Sequence, residues 1–203
     1  MTDDAALQDD LASRAIARLA VGGGDFADGD RERLARLALA SDFAIDTLVR
    51  QPGLLVRLLA DEGSEAASPP MLTPDNRNEW PALLRRFRAA ESTRLIWRDV
   101  QGLDDVEATL RGTTRLAEQC LETALAALET EFAERNGVVR DANGAPVRLV
   151  VFALGKLGGG ELNFSSDIDL VYAYACDGQS DGARTLPAET YFARLGQHLA
   201  KLL

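Results

Sequence analysis

One histidine and two cysteines are all that 203 residues offer in imidazole or thiol groups, and aromatic residues make up only 6%. Cys120, in a helical pattern, and Cys176, after an apolar run, lack metal-ligand spacing and suggest no disulfide framework, so both read as packing residues. His198 falls in a predicted helix near the end of the chain and is assigned no function. No apolar run approaches the roughly 20 residues a helical membrane span needs. The opening M-T-D-D lacks the basic flank of a secretory signal. These absences predict a cytoplasmic protein with no membrane partner. There is no internal repeat and no low-complexity tract beyond alanine-rich helix. The net charge of −10 argues against generic duplex DNA binding, which draws on clustered Lys and Arg, so no nucleic-acid partner is expected. It says little against a protein substrate, because a local basic patch can coexist with an acidic total.

What is present suits a folded protein: 46% hydrophobic and 27% charged residues can bury a core. Apolar residues recurring at three and four predict helices over Asp4–Leu19 and Asp30–Arg50, separated by the breaker Gly22-Gly23-Gly24. That triplet is no phosphate loop, since no apolar strand precedes it and no lysine-serine pair follows. Pro52 and Gly53 interrupt before a short helix, Leu54–Ala60. The segment Asp61–Asn78, with Ser68-Pro69-Pro70 and Pro74, is the best candidate for a mobile linker. Helices are then expected over Trp80–Ala90, Glu91–Val100 and Leu103–Arg135, the last with a stripe of Leu110, Leu116, Leu121, Leu125, Leu128 and Phe132. Asn143-Gly144 signals a hairpin turn after Val138-Val139. A polar loop, Asp177–Pro187, precedes a final helix over Glu189–Leu203. The expected class is α+β, with a mainly helical N-terminal region over 1–135 and the opening of a second domain over 136–203.

The chemistry is concentrated in G-K-L-G-G-G-E-L-N-F-S-S-D-I-D-L, Gly155–Leu170. Val147–Leu154, V-R-L-V-V-F-A-L, reads as a central strand buried on both faces. Gly155, Gly158, Gly159 and Gly160 permit backbone angles barred to other residues and let amide N–H groups approach a phosphate. After Ser166, the run from Asp167 to Tyr172 reads as a second strand of period two. Ile168, Leu170 and, at the end of the run, Tyr172 can then enter the core while Asp167 and Asp169 project together from the other face. Two anions held that close repel, and a divalent cation relieves the repulsion. Hard oxygen ligands with positions open for phosphate oxygens suit Mg²⁺. The bland alternative has Asp167 capping a turn with Ser165 and Ser166 while Asp169 lies on a solvated edge. The adjoining glycine turn and strands favour the metal reading.

Strand, glycine turn, short connection and D-x-D on a second strand resemble the nucleotidyltransferase fold related to DNA polymerase beta. In that superfamily the turn usually reads apolar-Gly-Gly or apolar-Gly-Ser, whereas Leu154-Gly155-Lys156 has lysine in the last place. Lys156 either supplies a charge where the superfamily supplies a hydroxyl or points to solvent. The full wording of Gly155–Leu170 resembles more narrowly the glutamine synthetase adenylyltransferase and adenylyl-removing enzyme family, as do Leu84–Leu103 and Val106–Glu118. The resemblance covers most of residues 79–203.

That resemblance implies a Mg²⁺-dependent nucleotidyltransferase in which Asp167 and Asp169 are catalytic metal ligands. Gly155, Lys156, Gly158, Gly159 and Ser166 would contact the nucleotide, ADP or ATP, and phosphate. The family carries two such domains, an N-terminal one that removes AMP from a tyrosine of glutamine synthetase and a C-terminal one that attaches it. The G-G-G-E-L-N-F-S-S wording and the helical leader beginning at Met1 resemble the first. The implied reaction is phosphorolysis, releasing ADP and free tyrosine, with adenylylation by ATP as the alternative direction. A third carboxylate and an arginine-rich segment belong to the family pattern downstream. The chain stops at Leu203 before either, so a truncated piece with little turnover of its own is expected. A non-catalytic docking or regulatory module, meeting glutamine synthetase or a PII-type nitrogen-signalling protein, is the reading from another class.

Arg85, Arg86, Arg88, Arg94 and Arg98 are interleaved with Phe87, Leu95, Ile96 and Trp97. Two readings stand level: a solvated arginine face over an apolar one, or arginines facing a nucleotide cleft or an acidic partner.

Overall fold

The computed structural model describes residues 2–20 and 26–203, so the glycine triplet at 22–24 lies outside the described residues. The fold is α+β, a helical N-terminal region followed by a small antiparallel sheet and a further helix. It divides into two compact units, Met1–Ser68 with Arg86–Thr113 and Pro69–Arg85 with Thr114–Leu203.

The first unit holds α1 (Thr2–Leu19), α2 (Asp28–Ala40), α3 (Asp42–Arg50) and α4 (Pro52–Asp61), with parts of α5 (Trp80–Val100) and α6 (Val106–Asn136). Leu34, Leu37, Ile45, Leu48, Leu58 and Trp97 are fully enclosed in its core. The single helix expected over Asp30–Arg50 is two. Ser41 adopts an extended backbone, φ −158°, and its hydroxyl accepts from Ala44 N at 3.2 Å. Serine just before Asp42, which opens the first turn, is an N-cap signal, since the side-chain oxygen satisfies an amide that lacks an intrahelical acceptor. Conversely, α5 runs unbroken where two helices were expected.

The segment expected to be a mobile linker is tied down within each unit. In the first, Arg94 Nη1 donates to Gly63 O at 2.8 Å and Ala67 N donates to Glu91 Oε2 at 2.9 Å. In the second, a 3-10 helix, Pro74–Glu79, starts at a reciprocal cap. Thr73 N donates to Asn76 Oδ1, and the buried Trp80 Nε1 donates to both Thr73 O and Asn76 Oδ1. Prolines and serines predict no long helix here, but hydrogen bonds, distant ones to Glu91 and Arg94 and local ones to Asn76 and Trp80, hold the segment in place.

The second unit packs α6 and α8 (Ala188–Leu202) around Trp80, Leu128, Phe132, Leu157, Leu195 and Leu199. Leu128, Leu195 and Leu199 have no exposed surface, and each such burial contributes about 1.5–3 kcal/mol. His198 packs edge-on to Phe132, with ring centroids 5.3 Å apart. The Asn143-Gly144 turn forms, with Gly144 at φ +82° and Val147 N donating to Val139 O at 2.8 Å.

Two short strands, β1 (Val150–Ala153) and β2 (Leu170–Ala173), pair antiparallel with Val150 opposite Ala173 and Phe152 opposite Val171. Val151, Ala153 and Leu170 pack against the core. Gly196 leaves room for the Tyr172 ring, which comes within 3.1 Å of where a Cβ would stand. The other face is open: Val150 and Phe152 are 45% and 54% exposed. A central strand buried on both faces was expected from the apolar run. An apolar run records what a strand could bury, and among the described residues only one face of β1 finds a partner.

Candidate functional site

β1 delivers the chain into the glycine turn. Leu154 N donates to Asp169 O at 2.9 Å, continuing the ladder one step beyond the strands and setting the turn beside the D-x-D segment. Gly155 then takes φ +56°, a left-handed conformation that strains any residue with a Cβ. A Cβ there would stand 3.6 Å from Asp169 Oδ2, so turn and carboxylate are neighbours. Gly155–Gly158 forms a single helical turn, α7, with Leu157 buried beneath it. Gly158 is held against the end of β1: an added Cβ would fall 2.4 Å from Ala153 O, a backbone atom that has nowhere to go.

The glycines thus shape the turn, and three of their amides, those of Gly158, Gly159 and Gly160, bond within it. Gly158 N donates to Leu154 O, Gly159 N to Gly155 O, Gly160 N to Leu157 O and Glu161 N to Lys156 O, at 2.8–3.1 Å. Those N–H groups are engaged inside the turn. The reason is local: as the single helical turn ends, its amides close i→i−4, i→i−3 and i→i−5 bonds onto the carbonyls just before them.

The second strand begins at Leu170, not at Asp167, and the stretch from Asp167 to Asp169 is extended chain leading into it. The expected alternation survives this shift. Asp167 and Asp169 are exposed, whereas Ile168 and Leu170 pack against the core. Neither aspartate takes part in an ion pair among the described residues. The pair therefore offers free, hard oxygen donors of the kind Mg²⁺ accepts, with most of its six positions left open. No group of three or more His, Cys, Asp or Glu side chains able to hold a metal occurs among the described residues.

Lys156 does not simply point to solvent. Although exposed, its Nζ donates to Ser166 Oγ at 3.2 Å, and Ser166 Oγ donates to Asn163 Oδ1 at 2.6 Å. The connection carrying these residues is fixed from behind, since the buried Leu162 donates its N–H to Thr114 Oγ1 at 3.2 Å. Asn163 was missed in the sequence. The signal was there, an Asn three residues before a Ser in a polar turn, close enough for their side chains to meet.

The arginines separate into two groups. Arg94 is 13% exposed and grips Glu91 at 2.6 Å; Arg98 is 21% exposed and grips Asp104 at 2.6 Å. Asp104 is held below the usual carboxylate range by its hydrogen bond from Arg98. Arg85, Arg86 and Arg88 are exposed. Two of the five are therefore structural ties.

Residues 31–203 match the family described as glutamate-ammonia ligase adenylyltransferase. The chain is similar to the bifunctional glutamine synthetase adenylyltransferase/adenylyl-removing enzyme of Stenotrophomonas maltophilia strain K279a, 62% identical over 194 residues, covering 95% of this chain and 21% of that protein. The protein of the same name from Xanthomonas oryzae pv. oryzae strain MAFF 311018 is 60% identical over 201 residues, again 95% and 21%. That from Thioalkalivibrio sulfidiphilus is 41% identical over 182 residues, 85% of this chain and 19% of that protein. The chain spans about a fifth of the length of these curated relatives.

Proposed function

The chain belongs to the glutamate-ammonia ligase adenylyltransferase family, and from that premise we propose that it carries part of a nucleotidyl-transfer site, with residues 136–203 opening the nucleotidyltransferase domain. In a protein of the relatives' length, that site removes AMP from an adenylyl-tyrosine of glutamine synthetase. A phosphate oxygen forms a bond to the adenylyl phosphorus, the bond from phosphorus to the tyrosine oxygen breaks, and the phenolate takes up a proton, leaving ADP and tyrosine.

The observation that carries this reading is the alternation at the D-x-D segment: Asp167 and Asp169 outward, Ile168 and Leu170 inward, with Gly155 beside Asp169. Asp167 and Asp169 would hold Mg²⁺. When bound, the ion offsets the negative charge that develops on the transferring phosphoryl oxygens. The protein's own contribution is alignment. The Leu154–Asp169 hydrogen bond fixes the turn against the carboxylates, and Leu157 and Leu162 anchor the turn and the connection in the core. Two carboxylates supply a minority of the six ligands, so the 203-residue chain by itself has little turnover. The site works in the cytoplasm and answers to a PII-type signalling protein. The G-G-G-E-L-N-F-S-S wording supports removal over attachment of AMP.

The test is release of ADP from adenylylated glutamine synthetase with Mg²⁺ and phosphate, by a relative-length protein carrying this sequence and by its Asp167→Asn/Asp169→Asn form. Loss of release in the double variant is expected. ATP-dependent attachment of AMP with no phosphate-dependent release would instead assign the adenylylating direction. Undiminished release, or binding of glutamine synthetase as the only property and one that survives loss of both aspartates, would leave this region a docking module.

A further inference from the structure

Beyond its first residues, the glycine turn has few amides left to offer a phosphate. A phosphate-binding turn needs donors or positive charge, yet the amides of residues 158–161 are closed upon backbone carbonyls. Positive charge in this segment comes from one residue, Lys156; the chain's other lysine is Lys201, in α8. In a protein where the half-buried arginines are tied to carboxylates, Lys156 has no ion-pair partner among the described residues, though Asp167 and Asp169 lie close in sequence.

Its one partner among the described residues is a hydroxyl. Ser166 Oγ has one hydrogen, and that hydrogen goes to Asn163 Oδ1 at 2.6 Å. A hydroxyl with its hydrogen committed can only accept, so it takes an N–H from Lys156 Nζ at 3.2 Å. Asn163 secures the arrangement twice, since its backbone O also accepts from Ser166 N at 3.2 Å, closing a turn next to the anchored Leu162. In this state Ser166 has no hydrogen left for a phosphate oxygen. The ammonium has three donors and uses one, leaving two for an anion.

We infer that Lys156 is the cationic ligand for phosphate oxygens of the nucleotide or of orthophosphate, and that Ser166 and Asn163 are positioning residues that hold its ammonium in place. This deepens the proposed function and rests on it for the identity of the anion. It also revises the expectation for Ser166, whose task becomes orientation of Lys156 instead of contact with the phosphate.

Two lysines give two side-chain ¹³Cε signals in lysine-labelled chain, with Lys156 identified by the Lys201→Arg variant. Titration with ADP and Mg²⁺, and separately with inorganic phosphate and Mg²⁺, is expected to move the Lys156 signal and leave Lys201 in place. Lys156→Gln, followed by nucleotide fluorescence, weakens ADP binding by roughly 10- to 100-fold, the range for a hydrogen bond to a charged group. Ser166→Ala and Asn163→Ala each weaken it by roughly 3- to 10-fold, the double variant is no worse than either single one, and Ser166→Thr restores it. An unchanged Lys201 signal and urea midpoint report that each variant is folded. A Lys156 signal that neither ligand moves, wild-type affinity in the alanine variants, or strictly additive losses would overturn the inference. A relative-length protein that fails to release ADP would sink the enzymatic reading alone, because the lysine signals report binding without turnover.

Discussion

Arg94 and Arg98 of the first unit sit 13% and 21% exposed with carboxylates at 2.6 Å, while Lys156, Asp167 and Asp169 of the second are exposed and unpaired among the described residues. Both sets fall in stretches whose residue types suggest function, an arginine-rich helix and a glycine-acidic turn. Only the second leaves its charge available. Arginine guanidinium groups taken partly out of water must be matched by carboxylates and carbonyls, and once matched they hold the 61–68 segment rather than a ligand. Charges on a solvated turn are already hydrated and can exchange water for a metal or a phosphate at little cost. Charge that supports the fold and charge that serves chemistry are told apart by whether the protein has already neutralised it.

The sharpest way to break this contrast is at Glu91, which accepts from Arg94 and from Ala67 N and is buried. Glu91→Ala leaves both donors unmatched and is expected to cost about 3–5 kcal/mol by urea denaturation. A loss below about 1 kcal/mol would mean that the arginine cluster is not structural. Next comes Asp104, with Arg98 as its partner. Asp104→Asn should cost about 1.5–3 kcal/mol at neutral pH. Its folded value is depressed, so the stabilisation is present above its ordinary 3.8 and fades as pH falls through the lowered value. Wild type and variant should converge in acid, and a gap that widens below pH 3.8 would reverse the sign and refute the assignment.

Within the site itself, backbone shape and side-chain charge can be separated. Gly158→Ala places a methyl 2.4 Å from Ala153 O and should cost about 1–3 kcal/mol through overpacking; circular dichroism melting of the variant against wild type measures it. The smallest stability effect belongs to Asp167→Asn/Asp169→Asn, within about 0.5 kcal/mol of wild type because both side chains are exposed and unpaired. The same variant should lose Mg²⁺ binding in a calorimetric titration. A large destabilisation there would make the pair a structural element and return Asp167 to the role of a turn cap.

Much of the helical order was legible because the 3.6-residue period survives in α2, α3, α6 and α8 whatever lies around them. The break at Ser41 was legible too, in retrospect, as a side-chain cap. The continuity of α5 was not, since nothing local ends or continues a helix at Ala90 and Glu91; burial of Ala90, Glu91, Thr93 and Leu95 carries it through. At the site, the pairing of glycine turn with D-x-D and the outward aspect of both aspartates followed from period-two alternation, even though β2 begins three residues later than expected.

By itself, then, the sequence determined the α+β class, the alternation that puts Asp167 and Asp169 on the solvated side, and the family, because these depend on residue order over short spans. Tertiary structure decided what distant residues do to one another: that Arg94 reaches Gly63, that Glu91 holds Ala67, and that Thr114 anchors Leu162 behind the Lys156–Ser166–Asn163 chain. Hydrogen bonds and burial between residues far apart in the chain carry no periodic signature, so only the folded geometry separates a charge already matched from one still available.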